Sequence, residues 1–132
     1  MSHAAAHPPF VLWLTGLSGA GKSTIAALLL PQLAARGLQP TLLDGDHLRE
    51  GLCADLGFSD ADRRENVRRA SEVARLMAGA GLTVVAAFIS PFRSDRDAAR
   101  QRLPAGRFVE VFVDAPLAVR SRVTPRACTA AP

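Results

Sequence analysis

The chain has 132 residues, 48% of them hydrophobic, with 16 Lys+Arg against 12 Asp+Glu and a formal net charge of +4. That size and composition fit one globular domain with a sizeable core. No apolar run approaches membrane length, no signal-peptide core precedes the first strand, and the arginines alternate with Asp and Glu instead of forming a nucleic-acid-binding block. The expectation is a cytoplasmic protein with no membrane and no nucleic-acid partner. Cys53 and Cys128 lack metal-ligand spacing, which fits a reducing setting.

In chain order, residues 1–9 read as a flexible tail and residues 10–14 as a strand. A helix rich in Ala and Leu follows over 23–36, with Gly37 as its stop. Residues 41–43 form a short buried strand leading into Asp44-Gly45-Asp46, after which a helix starts near His47. A long amphipathic helix is predicted over 62–80, with Val67, Ala70, Val73, Ala74 and Met77 inward. The continuous apolar run 82–89 suits a central parallel strand covered on both faces. Ser94 or Asp95 then caps a helix through Arg102, and 108–113 is a further strand. Alternating strands and helices imply an α/β fold, a three-layer sandwich around a mostly parallel sheet. Ligands of such folds gather beyond the carboxyl ends of the strands.

Lys22 is the only lysine; every other basic residue is arginine. It lies in Gly16-Leu17-Ser18-Gly19-Ala20-Gly21-Lys22-Ser23, followed by Thr24, between a predicted strand and a predicted helix. Glycines allow the backbone to present consecutive N–H groups to an anion at a helix N-terminus. A flexible ammonium then reaches between phosphates, and the Ser23 hydroxyl is offered to Mg²⁺. The motif in this context predicts a site for ATP with Mg²⁺.

Two further strand ends meet the same sheet edge. Asp44 and Asp46 either cap the following helix or serve chemistry, accepting a hydroxyl proton or holding a metal-bound water. Arg49, Phe58, Arg63 and Asn66 combine anion contacts, an aromatic platform and an amide, the groups that an adenine-bearing anion needs. Arg68 and Arg69 read as a solvated face, and His47 as a polar residue at a helix start.

These segments together resemble the adenylylsulfate kinase family. The resemblance rests on the phosphate loop, on 43–46 and 55–69, on Ala87-Phe88-Ile89-Ser90-Pro91-Phe92-Arg93, on 95–100, and on 108–116. It implies a P-loop kinase that transfers the ATP γ-phosphate to the 3′-hydroxyl of adenosine 5′-phosphosulfate. By that likeness Arg49, Arg63 and Asn66 hold the phosphosulfate nucleotide, Phe58 stacks on its adenine, and Ile89 and Ser90 line the pocket. Lys22 stabilises the transferring group, and Asp46 or Asp44 orients the acceptor hydroxyl, with Ser23 and Asp46 as metal ligands. The serine matching Ser90 is assigned in the family as a phosphorylated active-site residue, although in-line transfer needs only positioning and charge stabilisation. A homodimer and a fusion or association with ATP sulfurylase are open as partners. The alternatives are another small-molecule P-loop kinase and a catalytically silent nucleotide-binding module.

The likeness covers an incomplete domain over 10–119 and stops there. Residues 120–132 depart from the family pattern, which continues into a lid carrying Phe-Thr-Gly-Ile-Asp. GC-rich codons for 122–132 can be written so that a shifted frame reads Arg-Asp-Pro-Lys-Gly-Leu-Tyr, a family motif. The expectation is an out-of-frame tail, missing lid and last elements, and weak or absent turnover.

Overall fold

The computed structural model describes residues 7–17, 19 and 21–114. The segment 120–132, with its expected frame shift, lies outside them, as do Ser18 and Ala20 of the phosphate loop. The elements are β1 (Val11–Thr15), α1 (Lys22–Ala35), β2 (Pro40–Asp44), α2 (Gly45–Arg49), α3 (Asp60–Gly79), β3 (Thr83–Phe88), α4 (Arg93–Gln101) and β4 (Phe108–Phe112). The sheet order is β2-β3-β1-β4, with every pairing parallel.

β3 runs between β1 and β2 and is buried at all six positions, which is why its sequence is an unbroken apolar run. Its side chains alternate between two cores. Val84, Ala86 and Phe88 pack with Trp13, Leu43 and Phe108 against Val67, Ala70 and Ala74 of α3 and Ala99 of α4. Val85 packs on the opposite face with Leu14 and with Ala26 of α1. Helices therefore cover both faces of the sheet, giving the three layers expected. Registers Leu14↔Ala87 and Leu43↔Ala86 bring the carboxyl ends of β1, β2 and β3 level at one edge.

The starts of α3 and α4 differ from the sequence reading. α3 begins at Asp60 because Ser59 is its cap, with Oγ accepting from Asp62 N at 3.1 Å. α4 begins at Arg93, so Ser94 and Asp95 sit inside its first turn and neither caps it. The extended Phe92 takes the cap position there, and its ring carries the Arg64 guanidinium at 4.1 Å.

Candidate active site

A cavity of about 590 Å³ opens at the carboxyl edge of the sheet. Its walls include Gly19, Gly21, Lys22, Ser23 and Thr24 on one side, and Arg49, Phe58, Arg63 and Asn66 on the other, with Asp44, Asp46 and Ile89 between them. Gly16, Leu17 and Ser90 do not line it.

The phosphate-loop side is shaped by backbone conformation. Gly19 and Gly21 have φ of 83° and 103°, so the turn into α1 needs glycine for conformational reasons. Lys22, 9% exposed, folds back over the loop. Its Nζ donates to the carbonyls of Gly16 at 2.7 Å and Leu17 at 2.9 Å. Burial lowers its pKa below the usual lysine value, and the charges of Asp44 and Asp46 offset part of that. The ammonium is thus placed by loop carbonyls and faced by two carboxylates, ready to meet a more strongly charged anion.

The two aspartates play different structural parts. Asp44 caps α2, its Oδ1 accepting from Asp46 N at 3.0 Å, while Asp46 stands in the first turn and is exposed. The helix starts at Gly45, two residues earlier than the sequence suggested, because this cap closes immediately after β2.

On the opposite side, two arginines build the platform around Phe58. Arg49 Nη1 donates to the carbonyls of Leu56 at 3.3 Å and Gly57 at 3.0 Å, and Arg63 Nε donates to that of Phe58 at 3.0 Å. Both guanidinium groups lie over the Phe58 ring, at 4.3 Å and 5.8 Å from its centroid. Phe58 itself is 69% exposed, an aromatic face left open beside concentrated positive charge. Asn66 is buried, and its Oδ1 finds no hydrogen-bond donor among the described residues. A buried acceptor without a donor is costly unless a ligand supplies one.

Two sequence expectations change here. Arg69 is not merely solvated: it donates to Leu52 O at 3.0 Å and Asp55 Oδ1 at 2.8 Å while pairing with Glu65, tying the loop before Phe58 to α3. Its spacing from Asp55 gave no local signal, since the two are 14 residues apart. Ser90, expected on the pocket wall beside Ile89, is only 1% exposed, and its Oγ accepts from Trp13 Nε1 at 2.9 Å. Ile89 lines the cavity, whereas Ser90 is held in the interior by its contact with Trp13.

Among the described residues, no three or more His, Cys, Asp and Glu side chains group as a metal site. The Ser23 hydroxyl and the Asp46 carboxylate on the cavity wall are hard oxygen donors, the ligand type that Mg²⁺ takes. No helix among the described residues is long and apolar enough to cross a membrane.

The comparisons with known proteins agree with this geometry. The adenylyl-sulfate kinase of Burkholderia ambifaria is 64% identical over 117 residues, covering 89% of this chain and 65% of that protein. The adenylyl-sulfate kinase of Klebsiella pneumoniae is 59% identical over 120 residues, covering 91% of this chain and 60% of that protein. The chain thus spans about three fifths of the length of the curated relatives it matches. Among solved structures, the Mycobacterium tuberculosis APS kinase in complex with AMPPNP and APS superposes with a TM-score of 0.80 at 45% identity, covering 95% of this chain and 73% of that one. The family model described as Adenylylsulphate kinase matches residues 8–130. A phosphate loop and an arginine-aromatic platform sharing one cavity, with matches of this extent, show that the chain belongs to the adenylylsulfate kinase family.

Proposed function

We propose that this site phosphorylates the 3′-hydroxyl of adenosine 5′-phosphosulfate with ATP, forming 3′-phosphoadenosine 5′-phosphosulfate. The observation that carries the reading is the single cavity walled by Lys22 and Ser23 on one side and by Arg49, Phe58, Arg63 and Asn66 on the other. It has separate chemistry for a donor triphosphate and for an aromatic, anionic acceptor. The relative solved with AMPPNP and APS supports the same pair of ligands.

Each residue then has a role that follows from its placement. The loop N–H groups and the α1 N-terminus cradle the ATP phosphates. Lys22 leaves the Gly16 and Leu17 carbonyls to meet the transferring phosphoryl group and stabilise the charge spreading over its oxygens. Arg49 and Arg63 bind the phosphosulfate, Phe58 stacks on the adenine, and Asn66 Oδ1 accepts a hydrogen bond from the acceptor nucleotide. Asp46 orients the 3′-hydroxyl and takes its proton, while Asp44 holds Asp46 in place through the α2 cap. Ser23 and Asp46 would hold Mg²⁺, which when bound neutralises charge on the outer phosphates.

The test is a single-turnover assay of the purified chain with γ-labelled ATP, Mg²⁺ and adenosine 5′-phosphosulfate, with AMP and a sugar acid as competing acceptors. Label at the 3′ position of adenosine 5′-phosphosulfate supports the proposal. Label on the sugar acid alone overturns it, and binding of both nucleotides without transfer points to a silent binding module.

A further inference from the structure

The segment that follows β3 is gripped from several sides by groups that do not reach the cavity. Trp13 Nε1, on β1, donates to Ser90 Oγ. The Ser90 carbonyl accepts from Arg96 Nη1 of α4 and, at 3.5 Å, from Thr15 Oγ1. Arg96 is in turn oriented by β4, its Nε donating to Glu110 Oε2 at 2.7 Å. The other oxygen of Glu110 accepts from Arg100 Nη2 at 3.0 Å. Side chains of Arg96 and Glu110 are 19% and 23% exposed, so the pair is only weakly screened by solvent.

The residues immediately before Ser90 form the cavity wall. Ile89 and Phe88 line it directly. The Phe88 ring stacks on Trp13 at 5.1 Å and lies so close beneath α2 that a Cβ on Gly45 would meet it at 3.1 Å. Gly45 adjoins Asp46. A shift of the Ser90 backbone would therefore move Ile89, the Phe88 ring and the start of α2 together.

We propose that Arg96 and Glu110, acting through the Ser90 carbonyl, are positioning residues for the acceptor side of the cavity. This rests on the reading that the Arg49–Phe58–Asn66 side takes the acceptor nucleotide. Arginine is required because its fork offers Nε to Glu110 and Nη1 to the Ser90 carbonyl at once. A lysine ammonium of the same charge cannot reproduce that two-edged geometry. Ser90 in this arrangement is a structural relay whose hydroxyl is engaged by Trp13.

The experiment compares the wild-type chain with Arg96→Ala, Arg96→Lys and Glu110→Gln. Affinities for adenosine 5′-phosphosulfate and for ATP are measured separately by calorimetry, alongside unfolding midpoints. Trp13 is the single tryptophan, so its indole N–H signal in a nitrogen-15 NMR spectrum reports the Ser90 contact directly. Both Arg96 variants should weaken adenosine 5′-phosphosulfate binding about tenfold, the scale of one charge-assisted hydrogen bond. ATP affinity should fall less than adenosine 5′-phosphosulfate affinity, because no residue of the phosphate loop makes these hydrogen bonds. The indole signal should move in the same variants without ligand, and Glu110→Gln should show a smaller change of the same kind. Unchanged acceptor affinity overturns the proposal. So does an equal fall in both affinities that tracks the unfolding midpoint, which marks Arg96 as a general strut. If the wild-type chain binds ATP but not adenosine 5′-phosphosulfate, the acceptor reading itself has failed. An unmoved indole signal in Arg96→Lys then overturns the clasp as well, whereas a shifted one retains it as the support of a wall for another acceptor.

Discussion

Gly16 lies against the end of β4 so closely that a Cβ on it would come within 2.6 Å of the Val113 carbonyl oxygen. Its φ of 142° adds a conformational reason for glycine. That oxygen belongs to backbone held by Val113 N donating to Thr15 O at 2.8 Å, so it cannot simply retreat. Gly16→Ala should destabilise the chain by about 1–3 kcal/mol. Urea unfolding measures this; Gly51→Ala is the control, since nothing lies within 4 Å of a Cβ there and its φ is not positive.

Lys22→Ala should lower phosphoryl transfer by about 10²–10³-fold, the range found when a charge-stabilising donor is removed. Lys22→Arg should rescue little of it, because the planar guanidinium cannot sit between the Gly16 and Leu17 carbonyls as the ammonium does. Single-turnover rates with labelled ATP decide both.

Removing the orphan acceptor of Asn66 should separate binding from stability. Its Oδ1 has no protein donor to lose among the described residues. Asn66→Ala should therefore leave the unfolding midpoint nearly unchanged and weaken adenosine 5′-phosphosulfate binding about tenfold, the effect of one missing hydrogen bond to a buried group. Calorimetry and thermal unfolding on the same variant provide the two readings.

Glu65 makes a prediction about acid. Hydrogen bonds from Arg68 and then Arg69 hold its carboxyl at about 2, well below the ordinary 4.5. Between those values the unfolded chain binds more protons than the folded one, so stability rises with pH through the window. The Glu65 contribution is fully present above pH 4.5 and is lost as pH falls through about 2. These contacts are on the surface, where solvent screening keeps their contribution small. Urea unfolding followed across that window should show a flatter pH dependence for Glu65→Gln than for the wild-type chain.

The sequence by itself determined the layered α/β scaffold and the glycine-rich turn whose Gly19, Gly21, Lys22, Ser23 and Thr24 line the cavity. Residues 83–88 are apolar throughout because a parallel strand between two helix layers has no polar face. The phosphate loop is legible because its chemistry lies in consecutive residues, where backbone freedom and charge must adjoin. Arg49, Phe58, Arg63 and Asn66 were readable for a similar reason, lying along one short stretch that the structure brings to a common wall.

Only the tertiary structure decided which way individual side chains face and what they brace. Asp44 serves as a cap because β2 ends one residue before α2 begins, a boundary that propensity leaves uncertain by a residue or two. Ile89 lines the cavity and Ser90 meets Trp13, a partner 77 residues away that only the packing of β1 beside β3 brings within reach. Arg69 with Asp55, and Arg96 with Glu110, are each 14 residues apart and meet only after separate elements pack. Local pattern records which residues share a helix turn or a strand face. The contacts that position this site are made between elements, so their partners and directions exist only once the sheet and its two helical layers have assembled.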